Sequence, residues 1–248
     1  MSELSDLALE YRHLDEVSST NDYLRTYTPS ADITVVSASF QTKGRGQMGN
    51  TWISDAGENA LFSILVYPKN LKASDGFVLS QAMALSIKEV LDGYLDGISI
   101  KWPNDIYCGS EKICGTLIEN VLMGKFVGRS VIGNGINVNQ TQFPDGLAAP
   151  ATSLRIYIKR IVSPNDIIRS VTERFARYYE EVQTGCYVHI REKYHRHLYL
   201  RGERQCFQDE TGTFTGTISH VEPDGHIIII DEDGLSRRYA FKQVKLKR

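Results

Sequence analysis

The spacing of apolar and polar positions changes several times along the chain, and each change predicts a new element. Continuous β-branched and apolar stretches predict strands at residues 11–17, 33–40, 59–67, 98–102, 112–122 and 125–139. Apolar side chains three or four positions apart, from Leu79 to Tyr94, predict an amphipathic helix that ends near Gly97. A second long helix is predicted from Ser163, which precedes a proline and an acidic residue, to Gly185.

Shorter elements complete this pattern. Residues 18–21 predict the cap of a short helix that runs through Tyr27, and a further helical stretch is predicted around residues 189–197. From about residue 200 short strands alternate with turn signals, and turns at 224–225 and 233–234 bracket an isoleucine run at 227–230. We therefore expect an α+β fold, with a body over residues 1–199 and a small β-barrel over residues 200–248.

Charge and composition exclude several classes of protein. The net charge of −2 gives no overall attraction to nucleic acid, so any functional cations must be local. No apolar run is long enough to span a membrane, and the N-terminus lacks a secretory signal. Four scattered cysteines do not form a disulfide framework, which favours reduced thiols in the cytoplasm.

Residues 44–52, which we call the glycine loop, contain the pattern G-x-G-x-x-G followed by a tryptophan. A dinucleotide-binding fold requires a helix directly after these glycines, but residues 50–57 have no apolar helical face and end in turn formers. The glycine loop is therefore predicted to join two strands. Its backbone amides, Arg45 and Trp52 suit an anionic ligand with an aromatic base, and the alternative is an ordinary hairpin loop.

Three further segments carry candidate chemistry, each with a simpler interpretation. Residues 101–105 (K-W-P-N-D) place an amine, an amide and a carboxylate around a stiff turn, or form a plain turn. Lys112 precedes Gly115 on a strand, but a strand-end lysine is more often solvated. Residues 133–139 interrupt a strand with glycines and asparagines, which indicates either a backbone edge that reads a heterocycle or a bulge.

The order of these segments resembles that of the biotin protein ligase family over nearly the whole chain. The family pattern of S-T-N, G-R-G-x-x-G-x-x-W, K-W-P-N-D, K-x-x-G-x-L and G-x-G-I-N is matched at residues 19–21, 44–52, 101–105, 112–117 and 133–137. The resemblance implies a class II aminoacyl-tRNA-synthetase-like mixed sheet flanked by helices, with a C-terminal SH3-like barrel. It also implies the monofunctional class, which lacks a DNA-binding domain. Gln47 departs from the arginine that many members carry.

The same resemblance implies an ATP-dependent reaction and assigns residues to it. Biotin is activated as biotinyl-5'-AMP and then transferred to a lysine, with Lys112, Arg45 and Asp105 as the catalytic residues. The residues expected to bind biotin are Ser19, Thr20, Asn21, Gln41, Gly44, Arg45, Lys112, Gly115 and Leu117. Those expected to bind ATP and the adenylate are Gly46, Gln47, Trp52, Lys101, Asn104, Asp105, Gly135, Ile136 and Asn137. No dedicated metal cage is expected, and Mg²⁺ arrives with ATP near Asn104 and Asp105.

The implied partners are biotin, ATP and a biotin carboxyl carrier protein such as that of acetyl-CoA carboxylase. No DNA or membrane partner is expected, and the chain is expected to be a cytoplasmic monomer or homodimer. Two alternatives remain at this point. One is a lipoate–protein ligase or octanoyl transferase, for which Cys114 is the only cysteine within a motif. The other is a non-enzymatic, biotin-responsive regulator or adaptor.

Overall fold

A computed structural model describes residues 6–147 and 149–247, apart from the side chain of Met48. The strands are β1 Leu9–Val17, β2 Ile33–Gln41, β3 Ala60–Val66, β4 Ile98–Lys101, β5 Asp105–Cys108, β6 Glu111–Met123, β7 Phe126–Ile136, β8 Arg204–Asp209, β9 Gly212–Val221, β10 Ile227–Asp231, β11 Ser236–Tyr239 and β12 Lys245–Leu246. The α-helices are α1 Thr20–Arg25, α2 Val78–Leu91, α3 Leu154–Ile158, α4 Pro164–Thr184 and α5 Val188–Arg196. Single 3₁₀ turns occur at Gln47–Gly49 and Ala73–Asp75.

The first seven strands form one mixed sheet in the order β1-β2-β3-β7-β6-β5-β4. β1 and β2 run parallel, because the short helix α1 carries the chain back between them, and every other neighbouring pair is antiparallel. β3 and β7 lie at the centre, and β3 is buried along its whole length. Because these central strands are paired on both sides, their ends are held in fixed positions, and so are the starts of the loops that follow them.

Helices α2 and α4 supply most of the remaining core. α2 is buried at nearly every position, and it packs against α4, α5 and the sheet. Ser163 caps α4 by accepting a hydrogen bond from the amide of Asp166 (3.3 Å), and Gly185 ends this helix with φ = 77°. Both long helices predicted from the sequence are thus confirmed. No helix within the described ranges has the length and apolar character needed to cross a membrane.

The last five strands form a second, antiparallel sheet in the order β11-β10-β9-β8-β12. β10 contains the predicted isoleucine run and pairs with β11, so the hairpin there is confirmed. The hydrogen bonds between this sheet and the body include those from the Trp102 indole to the carbonyl of Gly225 (2.8 Å) and from the amide of Val221 to His195 Nε2 (2.9 Å). The C-terminal sheet is therefore joined to the segment that follows β4 and to helix α5.

The structure corrects the predicted elements in three places. β5 is an additional strand directly after the turn at Pro103, where no separate strand was predicted. Residues 133–136 are not a bulge, because Gly133 and Gly135 pair in register with both β3 and β6, and β7 ends at Ile136 instead of Asn139. Helix α3 was also not predicted, since its five residues are too few for a periodic pattern.

Asp209 is predicted to make the stability of the C-terminal sheet depend on acid pH. Hydrogen bonds from Tyr239 and Thr211 lower the pKa of Asp209 to about 2, from an ordinary value of 3.8. Its stabilising contribution should be complete above pH 3.8 and be lost as the pH falls toward 2. We expect the difference in unfolding free energy between the wild type and Asp209→Asn to shrink over this window. Denaturant titrations at several pH values would measure it, and a constant difference would contradict the assignment.

Candidate functional site

A cavity of about 980 Å³ lies where the main sheet meets the C-terminal sheet. Most of the site residues predicted from the sequence line it, namely Ser19, Thr20, Asn21, Gln41, Arg45, Gly46, Gln47, Trp52, Lys101, Asn104, Asp105, Lys112, Gly115, Leu117, Gly135 and Asn137. Gly44 and Ile136 do not line it, and the Ile136 side chain is buried in the core. The fold therefore assembles in one place residues that are widely separated in the sequence.

One wall of the cavity is a hydrogen-bonded chain of uncharged side chains. Ser19 caps α1, which places Thr20 and Asn21 at the start of that helix. The Thr20 amide donates to Gln41 Oε1 (2.8 Å), and the Thr20 and Ser63 hydroxyls are 2.6 Å apart. Ser63 in turn donates to Asn21 Oδ1 (2.6 Å). Hydroxyl and amide groups held in this way suit a neutral polar ligand group inside a largely apolar pocket.

A flat platform in the cavity is formed by the cross-strand pair Gly115 and Gly135. The Trp52 indole lies directly on it, because a Cβ at Gly135 would stand 2.3 Å from an indole carbon and one at Gly115 would stand 3.1 Å away. Any side chain at Gly135 would displace the ring. The indole N–H is buried and has no hydrogen-bond partner among the described residues. Trp52, seated on this platform, therefore presents the outer face of its indole to a planar ligand in the cavity.

Lys112 and Asp105 form an ion pair beside this platform. Lys112 Nζ lies 2.7 Å from Asp105 Oδ1 and 5.8 Å from the centre of the Trp52 ring. The neighbouring Asn104 is fixed to β6 by two hydrogen bonds to Thr116. The Asn104 side-chain amide donates to the backbone carbonyl of Thr116, and the backbone carbonyl of Asn104 accepts from the backbone amide of Thr116 (3.1 Å). A half-buried ammonium group is thus held near the centre of the cavity by a carboxylate on the adjacent strand.

Lys101 brings a second ammonium group to the cavity wall. Its Nζ donates to the Tyr107 hydroxyl (3.0 Å) and lies 4.7 Å from the centre of the ring of that tyrosine. Tyr107 is completely buried, which fixes the direction of the lysine. Asn137 is fixed in a comparable way, because its side-chain amide donates to the Thr152 carbonyl (2.9 Å). Both predicted residues therefore line the cavity with side chains whose positions are fixed by contacts with buried parts of the protein.

Arg45, which is expected to face the junction between a carboxylate and a phosphate, lines the cavity within a cluster of charged side chains. Its guanidinium donates to Asp22 Oδ1 (2.7 Å) and to Glu119 Oε1 (2.9 Å). The bond to Glu119 is the main reason that the pKa of Arg45 is raised. Burial alone would raise the pKa of Glu119, but hydrogen bonds from Asn21, Arg45 and Arg25 outweigh it and leave this pKa below its usual value. Arg25 pairs with the same two carboxylates, so the cluster contains two guanidinium groups and two carboxylates.

Sequence reasoning missed several contributors to the site. Glu119 and Asp22 lie in no recognised motif, and Ser63 lies within an apolar strand. Phe241 and Lys242, in the turn between β11 and β12, also line the cavity, and Lys242 adopts a left-handed backbone conformation (φ = 69°) that is uncommon for a residue other than glycine. Their position just after a predicted hairpin does not by itself indicate a site.

The described residues contain one group of three side chains able to share a metal ion, Glu222, Asp224 and His226. The carboxylates of Glu222 and Asp224 are already ion-paired with Arg238. In the main cavity, Asn104 and Asp105 supply oxygen atoms of the kind that Mg²⁺ prefers. The donor set there fits a cation that is shared with a phosphorylated ligand.

Comparison with known proteins gives a consistent result. The model of the biotin/lipoate A/B protein ligase family matches residues 14–137. The chain is 29% identical over 212 residues to the bifunctional ligase/repressor BirA of Bacillus subtilis, covering 84% of this chain and 64% of that protein. It is 27% identical over 197 residues to the biotin–[acetyl-CoA-carboxylase] ligase of Paracoccus denitrificans, covering 76% of this chain and 80% of that one. The structure of the Aquifex aeolicus biotin protein ligase in complex with biotin and ATP superposes with a TM-score of 0.79 at 27% identity, over 96% of this chain and 99% of that one.

Proposed function

The chain belongs to the biotin/lipoate A/B protein ligase family, and on this basis we propose that it is an ATP-dependent biotin ligase. It activates biotin as biotinyl-5'-AMP and transfers the biotinyl group to a lysine of a biotin carboxyl carrier protein. The observation that carries the proposal is the cavity itself, in which a neutral polar wall, an aromatic platform and two lysines adjoin. The Aquifex aeolicus relative, bound to biotin and ATP, supports it.

The first step joins two anions, and Lys112 is placed to make that possible. An oxygen of the biotin carboxylate attacks the α-phosphorus of ATP, the bond from that phosphorus to the bridging oxygen breaks, and pyrophosphate leaves. The Lys112 ammonium group, held by Asp105 at 2.7 Å, stabilises the negative charge that gathers between carboxylate and phosphate. In the second step a neutral lysine amine of the acceptor attacks the acyl carbon, and AMP leaves.

The remaining predicted residues divide between the two substrates. We propose that Thr20, Asn21 and Gln41 contact the ureido group of biotin, because the hydrogen-bonded wall offers amide and hydroxyl groups without net charge. The adenine base is proposed to stack on Trp52 beside Asn137. Mg²⁺ that arrives with ATP would be held near Asn104 and Asp105 and would neutralise phosphate charge there. Asp105 is also proposed to help deprotonate the acceptor lysine.

Finer features of the fold and setting belong to the same proposal. We propose that the main sheet is of the class II aminoacyl-tRNA-synthetase type and that the five short C-terminal strands form an SH3-like barrel. Their antiparallel order and their side chains in the cavity support a role in closing the ATP site. The division at residues 199 and 200, a monomeric or homodimeric state, a cytoplasmic location and the lack of a DNA partner stay predictions of the resemblance.

The two alternatives fit the cavity less well. An octanoyl transferase needs a nucleophilic thiolate, but Cys114 is completely buried and its burial raises the pKa of the thiol far above the ordinary value. A regulator without enzymatic activity would not account for the ion-paired Lys112 beside the Trp52 ring. A lipoate ligase shares the activation chemistry and differs in the acid that it accepts, so substrate choice decides between them.

The acid that triggers pyrophosphate release tests this proposal. Purified protein with ATP and Mg²⁺ is expected to release pyrophosphate when biotin is added, and to release little with lipoate or octanoate at the same concentration. The Lys112→Ala protein serves as the control for contaminating activity. Pyrophosphate release that requires lipoate instead of biotin would establish the lipoate–protein ligase alternative. No release with any of these acids would favour the non-enzymatic regulator.

A further inference from the structure

The carboxylate of Glu119 joins the cavity wall to the glycine loop. Asn21 Nδ2 donates to Glu119 Oε2 (2.9 Å), and Arg45 of the glycine loop donates to Glu119 Oε1 (2.9 Å). Through Asn21 the same carboxylate connects to Ser63 and Thr20. One side chain on β6 therefore contacts both the wall that is proposed to bind biotin and the loop that covers the cavity.

Among the described residues of the glycine loop, Arg45 connects the first half of the loop to the body. Internally it is a narrow hairpin, with bonds from the Gly46 amide to the Asn50 carbonyl (2.7 Å) and from the Trp52 amide to the Gly44 carbonyl (3.0 Å). Arg45 gives this hairpin its ion pairs to the body, at Asp22 on α1 and Glu119 on β6. Charge-assisted hydrogen bonds of this kind are stronger and more directional than neutral ones.

We propose that Glu119 is a positioning residue, which acts with Asp22 to fix the Arg45 guanidinium and thereby seats the glycine loop and its Trp52 over the cavity. Arg45 then serves as the anchor of the loop and not as a charge for the reaction. Because Asn21 donates to the same carboxylate, a ligand that orders Asn21 also favours the seated loop. The proposal rests on the proposed function for the identity of that ligand, but the anchor itself does not.

Hydrogen exchange at the glycine loop tests the anchor without any enzymatic assay. In Glu119→Gln, exchange of the Gly46 and Trp52 amides is expected to speed up about 5- to 30-fold, because loss of the ion pair favours the open loop. Glu89→Gln is the matched control. Glu89 is about as exposed as Glu119 (28% against 25% of the side chain) and contacts Lys193 and Arg174, far from the loop along the chain.

A second variant keeps the proposal falsifiable if Glu119→Gln folds poorly. Arg45→Lys retains the charge but loses the forked geometry, so it is also expected to speed up exchange in the loop while exchange in β3 stays unchanged. Equal loop exchange in Glu119→Gln, Arg45→Lys and Glu89→Gln would overturn the anchor.

Addition of biotin separates this proposal from the proposed function. Biotin is expected to slow loop exchange in the wild type, and to do so several-fold less in Glu119→Gln. If biotin changes nothing in the wild type, the proposed ligand is wrong, while the comparison of the biotin-free variants still decides on the anchor. If biotin slows exchange equally in both proteins, the link through Glu119 is wrong.

Discussion

Replacement of Lys112 by alanine is expected to lower biotin-dependent exchange of pyrophosphate into ATP by at least about 10²- to 10³-fold, which is typical for loss of a group that stabilises transition-state charge. Lys112 is expected to have this effect because its ammonium group lies near the Trp52 ring and close to Asp105, at the place where the two anionic substrates are proposed to meet. The exchange assay isolates the first step, since it needs no acceptor protein.

Two controls define the result. Lys125→Ala removes an exposed lysine from the turn between β6 and β7 and should leave exchange unchanged. Lys112→Arg retains the charge with a different shape and should recover only part of the activity. Normal exchange in Lys112→Ala would show that another group supplies the stabilising charge.

Replacement of Trp52 by alanine is expected to raise KM for ATP about 5- to 150-fold, since stacking of a base on an aromatic side chain contributes about 1–3 kcal/mol. The indole already lies on the Gly115–Gly135 platform, so little rearrangement is needed for one of its faces to meet a base. KM for biotin should change much less, because the proposed biotin contacts are on the wall formed by Thr20, Asn21 and Gln41.

Steady-state kinetics with each substrate varied in turn would measure this split. Trp52→Phe keeps an aromatic face and should restore most of the affinity for ATP. An unchanged KM for ATP in Trp52→Ala would place the base elsewhere in the cavity. An equal rise in both KM values would mean that the tryptophan acts on the cavity as a whole and not on the base.

The main elements and the groups at the centre of the site were predictable from the sequence for a physical reason. Long strands and helices repeat their apolar pattern often enough to be recognised, as in α2 and α4. Lys112, Trp52 and Asp105 stand in compact motifs whose residue types already indicate their chemistry. The fold then had only to bring those motifs together, which it does along β5, β6 and β7.

The features that were missed depend on contacts between distant parts of the chain. Arg45 and Glu119 are 74 positions apart, so no local pattern indicates that this carboxylate pairs with the arginine. β5 has four residues, which are too few to show the alternation of apolar and polar positions typical of a strand. It also directly follows the turn at Pro103, so its first residue lies within the predicted turn. The place of Lys242 in the cavity depends on how the C-terminal sheet packs on the body, which no single segment encodes.

Covalent transfer is the most direct test of the central claim. The purified chain is incubated with ATP, Mg²⁺, biotin and a purified biotin carboxyl carrier domain, and the carrier is then analysed by intact mass spectrometry. We expect one biotinyl group to be added to the carrier, and none when ATP is omitted or when the acceptor lysine of the carrier is replaced by arginine. A carrier that stays unmodified with all components present, although a known biotin ligase modifies the same preparation, would contradict the account.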